Sequence, residues 1–212
     1  MKASDLLVSP AFRTVAEEMT EVVRFVAQQG WVPATSSNFS ARIPGLEGHY
    51  AVSRSGVDKY AFGPGDVMVV DDNGNGVAPA GARPSAETLL HTMLYDDPGI
   101  GAVLHMHSVA ATVLSMKVAS KQITLTGYEL LKGLSGVKDH RHKETVPILA
   151  NSQDMPELAA HVEKIRKIHP GLHGYLIRGH GLYTWGRDLK EARRHVETFD
   201  FLFQCILQSS PF

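Results

Sequence analysis

The chain predicts a layered α/β domain with a mixed or antiparallel sheet, and three observations carry that prediction. Between Pro10 and Gln29 apolar residues recur at helical spacing: Phe12, Val15, Met19, Val22, Val23 and Val26. Short strand-like pieces alternate with such helical stretches along the whole chain instead of segregating into blocks. Some of those pieces are joined by tight turns, the clearest being Asp72-Asn73-Gly74-Asn75-Gly76, which favours an antiparallel hairpin. The 212 residues suffice for one substantial core, since a domain of this size buries roughly 70% of its unfolded surface. No internal repeat or low-complexity linker interrupts them, so residues 1–212 are read as a single domain.

In chain order, the first helix runs from Pro10 to Gln29, with Gly30 as its stop. Strands are expected at Asn38 to Ile43, Tyr50 to Ser53 and Val67 to Asp71, the last leading into the Asn-Gly turn. Ser85 is placed to cap a helix from Ala86 to about Tyr95, ended by Asp97-Pro98-Gly99. The apolar run Ile100-Gly101-Ala102-Val103-Leu104 then forms a strand ending in His105-Met106-His107. Ser108 caps a helix to about Met116, and Thr126 or Gly127 opens a short one containing Glu129. Asp154-Met155-Pro156-Glu157 combines a cap with an early proline and starts a helix to about Ile168. Strands around His173 to Ile177 and Leu182 to Trp185 precede a last helix, Leu189 to about Gln208.

Composition narrows the function classes. Lys plus Arg (21) nearly balances Asp plus Glu (22), so no basic footprint for nucleic acid or an anionic membrane is present. The single cysteine, Cys205, has no intrachain partner, which suits a reducing compartment. Met1-Lys2-Ala3-Ser4-Asp5 has no apolar signal-peptide core, and no run reaches the ~20 apolar residues of a spanning helix. A soluble cytoplasmic protein is expected.

The chemistry concentrates in histidines. Alternate residues of a strand project to one face, so His105 and His107 present two imidazoles together at the carboxyl edge of a sheet. His180 ends a second apolar stretch, Gly174-Tyr175-Leu176-Ile177, and is flanked by Gly179 and Gly181, which permit close backbone approach or a positive φ. Three imidazoles with one position open are the ligand count of a catalytic zinc site, though iron, cobalt and other first-row metals suit the same donors. The pair His140 and His142 has the same spacing but lies among Lys138, Asp139, Lys143 and Glu144, and is read as a solvated loop.

Two carboxylates are acid–base candidates. Glu129 stands alone in Thr126-Gly127-Tyr128-Glu129-Leu130-Leu131, a setting that raises a carboxyl pKa toward neutrality, unless it is a solvated helix-start glutamate. Glu87 shares a helix face with His91, and otherwise complements a helix dipole. Three segments rich in hydroxyls, amides and glycine suit an anion such as phosphate: Thr35 to Asn38, Ser53 to Gly56, and Arg83 to Ser85. Arg54, Lys59 and Arg83 add charge there, and neither a Walker loop nor a dinucleotide fingerprint occurs.

Asn38-Phe39-Ser40, Ser53-Arg54-Ser55-Gly56, Pro84-Ser85-Ala86-Glu87, His105-Met106-His107-Ser108 and Gly179-His180-Gly181, in that order, resemble the class II aldolase/adducin family. The resemblance spans about Val15 to Phe203. It is greatest to the family's dehydratases of methionine salvage, through Pro33 to Ser40, Lys132-Gly133-Leu134, His142 to Ile148 and Gly181 to Gly186. The resemblance implies a three-layer α/β/α sandwich with a central mixed, largely antiparallel sheet. It implies one Zn2+ per subunit on His105, His107 and His180, with Glu129 as catalytic acid/base. It also implies a phosphorylated ketose held among Asn38, Ser53, Ser55, Gly56, Ser85 and Glu87, in a homotetramer whose pockets lie near subunit interfaces. The expected reaction is loss of water from a methylthio-substituted ketose phosphate. Its rivals are an aldolase or epimerase acting on another ketose phosphate, and a non-catalytic, adducin-like scaffold. Two departures stand out: Ser37 replaces a glycine common among the sugar-phosphate aldolases, and Glu87 matches their catalytic glutamate, which the dehydratases do not all keep. Glu129 therefore ranks above Glu87.

Overall fold

The computed structural model describes residues 3–209, so residues 1–2 and 210–212 of the single-domain reading lie outside the described residues. Helices α1 (Ala3–Val8) and α2 (Pro10–Gln28) come first. Pro10 opens α2 with φ already suited to a helix, and the Ser9 hydroxyl accepts from Phe12 N–H at 3.2 Å. The helix ends before Gly30, whose φ of 75° no helix continues. Strands β1 (Asn38–Arg42), β2 (His49–Ser53), β3 (Val67–Asp71) and β4 (Gly76–Ala78) follow, the last two joined across the expected Asn-Gly turn.

The helix expected at 86–95 is shorter. Residues 86–88 form a turn, α3 covers only Leu89–Thr92, and a 3-10 turn continues through Met93–Asp96. Ser85 Oγ accepts from Glu87 N–H, a local bond that favours a turn over a helical start. Strand β5 (Ala102–Met106) leads into α4 (Val109–Lys117), capped by Ser108 as expected. Strands β6 (Gln122–Leu125) and β7 (Glu144–Leu149) were not evident from sequence; between them a 3-10 turn, Glu129–Gly133, stands where a short helix was expected. Helix α5 (Met155–Ile168), strands β8 (Gly174–Ile177) and β9 (Gly181–Gly186), and α6 (Leu189–Ser209) complete the chain.

The nine strands lie in the order β4-β3-β2-β1-β5-β9-β8-β7-β6, antiparallel throughout except for β7 beside β8. Alternation sorts their side chains into two cores. Phe39, Ala51, Leu104, Leu176 and Leu182 pack with α2, α4 and α6 on one face. Tyr50, Val103, Tyr175, Ile177 and Tyr183 pack with α3 and α5 on the other. The result is an α/β/α sandwich with a mixed, mostly antiparallel sheet. No helix among the described residues is long and apolar enough to cross a membrane.

Register places the chemistry. Asn38 pairs with His105, Met106 with Leu182, and Ile177 with Gly181, so β1, β5, β8 and β9 converge at one end of the sheet. Leu125 pairs with Glu144 while Leu149 pairs with Ile177, so the β6–β7 connection leaves and rejoins the sheet at the other end.

Candidate metal centre and active site

His105, the penultimate residue of β5, has no solvent exposure, His107 lies just beyond the strand, and His180 lies in the turn into β9. Their ligand atoms all lie within 4.8 Å of one another, the one such group of three among the described residues. Ring centroids are 4.6, 4.9 and 4.7 Å apart, and His105 Nε2 is 3.3 Å from His180 Nε2. Both glycines beside His180 are required. Gly179 has a φ of 66°, and a Cβ on Gly181 would fall 2.1 Å from Met106 O, so only glycine lets β9 close on β5 there.

Protonation suits ligation. His105 Nδ1–H donates to Leu182 O at 3.0 Å, which leaves the Nε2 lone pair facing the other rings. Burial holds His105 far below its ordinary pKa, and burial with the neighbouring His180 takes His107 down to about 4. Three converging imidazoles, two of them kept neutral by burial, fit a divalent metal by donor type and number.

Glu87 stands beside the triad. One oxygen lies 3.1 Å from His180 Nε2; the other lies 3.5 Å from His105 Nε2 and accepts from Asn38 Nδ2 (2.8 Å) and Tyr183 OH (3.1 Å). Burial raises its pKa, but His180, His105 and Asn38 together outweigh that and hold it well below the usual carboxylate range. It is therefore not a first-turn glutamate complementing a helix dipole, the alternative reading, since α3 begins only at Leu89. Asn38 is itself oriented. Its Oδ1 is bonded to His91 Nε2, His91 Nδ1 to Ser40 Oγ, and Ser40 Oγ to Tyr95 OH, while Asn38 Nδ2 also reaches Ser85 Oγ. Tyr183 stacks on His105 at 4.0 Å between centroids and 13° between planes. Sequence reading gave Tyr183 and His91 no place in the site; both face it only because the sheet register brings distant residues together.

The triad opens into a cavity of about 170 Å3. All six residues expected to bind substrate (Asn38, Ser53, Ser55, Gly56, Ser85 and Glu87) line it, together with His107 and His180. The cavity is smaller than the ~300–1,000 Å3 pockets of drug-sized ligands, so it suits one end of a substrate. Its donors are unspent. Ser36 Oγ, Ser37 Oγ and Arg54 Nε are buried without hydrogen-bond partners. Lys59, 1% exposed, donates to the carbonyls of Thr35 and Val57, and its burial lowers its pKa more than Asp66 and Asp58 raise it. A buried cation and three partnerless polar atoms around one cavity are an arrangement that an anion completes. Arg83, also expected there, is exposed and does not line it.

Glu129 is elsewhere. It sits on the 3-10 turn of the β6–β7 connection, its side chain is 70% exposed, and it pairs with Lys132 and His140. The apolar setting expected for it is corrected: Leu131 and Leu134 turn into the core, while Glu129 and Leu130 turn out. His142, expected in a solvated loop, instead bonds the buried Glu144 at 2.9 Å.

Residues 17–207 match the family model described as Class II Aldolase and Adducin N-terminal domain. A methylthioribulose-1-phosphate dehydratase of Marinobacter nauticus is 50% identical over 200 residues, covering 93% of this chain and 95% of the relative. The dehydratase of the same name from Sorangium cellulosum is 47% identical over 199 residues, covering 93% of both. Among solved structures, L-fuculose-1-phosphate aldolase from Thermus thermophilus superposes with a TM-score of 0.72 at 26% identity, over 94% of this chain and 95% of that one. YgbL from Escherichia coli does so at 0.77 and 22% identity, over 94% and 91%, and so supports the fold alone. With the matched span covering nine-tenths of its residues, this chain belongs to the class II aldolase/adducin family.

Proposed function

We propose that this protein is a zinc-dependent dehydratase converting 5-methylthioribulose 1-phosphate to 5-methylthio-2,3-dioxopentyl phosphate and water. The observation that carries the reading is the cavity in which Lys59, Arg54, Ser36 and Ser37 hold unspent donors within the same walls as His107 and His180. The relatives' names supply the substrate and the reaction. The phosphate binds among Asn38, Ser53, Ser55, Gly56 and Ser85, with Lys59 supplying charge, and the remainder of the ketose lies over the histidines and Glu87.

His105, His107 and His180 would hold one Zn2+, which supplies Lewis-acid polarisation of the ketose carbonyl and so acidifies the neighbouring C–H. Glu129 acts as acid/base: its carboxylate takes the proton from C3, the C4–O bond breaks, and Glu129 returns that proton to the departing hydroxyl, which leaves as water. The resulting enol tautomerises to the diketone. Because Glu129 lies on the connection at the other end of its own sheet, we assign it to the triad of a neighbouring copy in a homotetramer. Its exposure and that of Leu130 (40%) support this placement.

Incubation with methylthioribulose 1-phosphate, with and without a chelator, tests the reading. A chelator-sensitive rise in diketone absorbance is expected. Formation of dihydroxyacetone phosphate plus an aldehyde would instead identify a ketose-phosphate aldolase. Glu129→Gln should retain metal and lose turnover by ~10²-fold or more, the typical contribution of a positioned acid/base; unchanged turnover removes Glu129 from the role.

A further inference from the structure

A second buried cluster lies at the sheet end away from the triad. Glu144, the first residue of β7 and 2% exposed, gives one carboxylate oxygen to His142 Nε2 (2.9 Å) and the other to His173 Nδ1 (3.1 Å). The opposite nitrogen of His173 donates to Ser135 O at 2.8 Å. Ser135 N–H and Oγ–H are both directed at His195 Nε2, at 3.0 and 3.1 Å, and His195 Nδ1–H donates to Trp185 O at 2.7 Å. The two rings stand edge to face, 5.2 Å apart.

The hydrogen bonds fix the protons. His195 must be neutral, because Nε2 accepts while Nδ1 donates. His173 faces a carboxylate with one nitrogen and a carbonyl with the other, so both donate and the ring is an imidazolium paired with Glu144. Ser135 is thereby gripped through its carbonyl, its amide and its hydroxyl.

Ser135 lies two residues beyond the turn that carries Glu129. The same turn is pinned by the buried Leu131 and Leu134, and a Cβ at Gly133 would fall 2.2 Å from Thr198 Oγ1 on α6. An exposed glutamate thus stands on a segment whose following residues are held as tightly as core. Apolar residues of similar volume often stabilise a fold as well as a buried ion pair does, so a role in fixing geometry is the one assigned to this pair.

We propose that Glu144, acting through His173 and Ser135, is a positioning residue that aims Glu129. The inference rests on the proposed acid/base role of Glu129. The test is steady-state kinetics of the metal-loaded protein on methylthioribulose 1-phosphate, with oligomer mass and metal content measured alongside. Glu144→Gln should keep metal, mass and KM while lowering kcat by ~10-fold, because interactions that orient a reacting group act on the transition state. In a Glu129→Asp background, where the carboxylate is already withdrawn, the same change should cost less than ~3-fold, since coupled residues are non-additive. Should Glu144→Gln fail to fold, Ser135→Ala removes only one donor to His195 and should show the same split with a smaller loss. Equal losses in both backgrounds, or a loss in KM alone, overturn the proposal and leave a purely structural cluster. Undiminished turnover in Glu129→Gln would instead refute the role of Glu129 itself, so the two failures are told apart.

Discussion

Replacing Ser37 by glycine should move stability and phosphate affinity in opposite directions. Ser37 has a φ of 72°, in the left-handed region that favours glycine. Holding a residue with a Cβ there costs about 1–2 kcal/mol. Its hydroxyl is also buried with no partner, a further penalty of about 1–3 kcal/mol in the free protein. Glycine removes both, while its freer unfolded chain returns about 0.4–1 kcal/mol. The net gain is at least about 1 kcal/mol, which raises Tm by about 2–4 °C for a chain of this size. Affinity should go the other way. A hydrogen bond to a charged group contributes about 1.5–3 kcal/mol, so Ser37→Gly should weaken phosphate binding by about 10- to 100-fold. Ser37→Ala keeps the strained Cβ and loses the hydroxyl, so it should match glycine in affinity and fall below it in Tm. Scanning calorimetry of the free protein and titration with inorganic phosphate read the two effects separately. A Ser37→Gly protein that melts at or below wild type, or that binds phosphate within about twofold of it, refutes the reasoning.

Lys59→Met should likewise stabilise the free protein and lose phosphate, because it removes a buried cation whose hydrogen bonds go to carbonyls and whose burial outweighs the attraction of Asp66 and Asp58. Burial lowers the Lys59 pKa below its ordinary 10.5, so between those values the unfolded chain holds more protons and stability rises with pH. That alkaline slope should shrink in the variant, as read by urea midpoints from pH 8 to 10.5. His105→Ala should lose the metal, and full metal content by elemental analysis would refute its assignment as ligand. In acid the metal-free protein should weaken. Burial takes His91, His107 and His195 each down to about 4, so stability is complete above 6.5 and falls as pH drops toward 4. His173 opposes this: burial lowers its pKa, but Glu144 outweighs that and raises it, so its contribution is full below 6.5 and declines as pH rises through the raised value. A urea midpoint that is flat between pH 7 and 5 would contradict the buried neutral histidines.

What could be read from sequence was local. The His105 and His107 pair follows from strand alternation alone, and the glycines around His180 announced both features observed there, a positive φ and a close approach. The hydroxyl-rich segments suggested an anion site because turn backbone and short polar side chains suit that purpose, and the fold does bring residues of all three around one cavity. Strand β7 was hidden by Pro147, which is tolerated because pairing with β8 begins only at Ile148. Edge strand β6, only four residues long, had too short an alternation to register. The setting of Glu129 misled because Leu131 and Leu134 turn into the core while Glu129 and Leu130 turn out on the same tight segment. The cluster linking Glu144 to His173 and His195 has no local signature at all: its members lie 29 and 60 residues from their partners, and only the finished sheet joins them.

The two ends of the sheet therefore carry different parts of one proposed reaction. At the triad, one oxygen of Glu87 already accepts from Asn38 and Tyr183, and the other lies beside His180. We assign to a carboxylate so placed the task of holding the substrate side of the histidines. Glu129 has the opposite character, with its oxygens met only by the exposed Lys132 and His140, groups that a second chain could displace. Lys132 and Glu129 are a surface pair, and such pairs contribute at most about 1 kcal/mol, so exchanging it for an intersubunit contact costs little. The demanding part of the geometry is the backbone beneath Glu129, and that is where Leu131, Leu134 and the Ser135 grip are spent. In the proposed arrangement the metal half would be complete in each chain and the proton-transfer half only in the assembly.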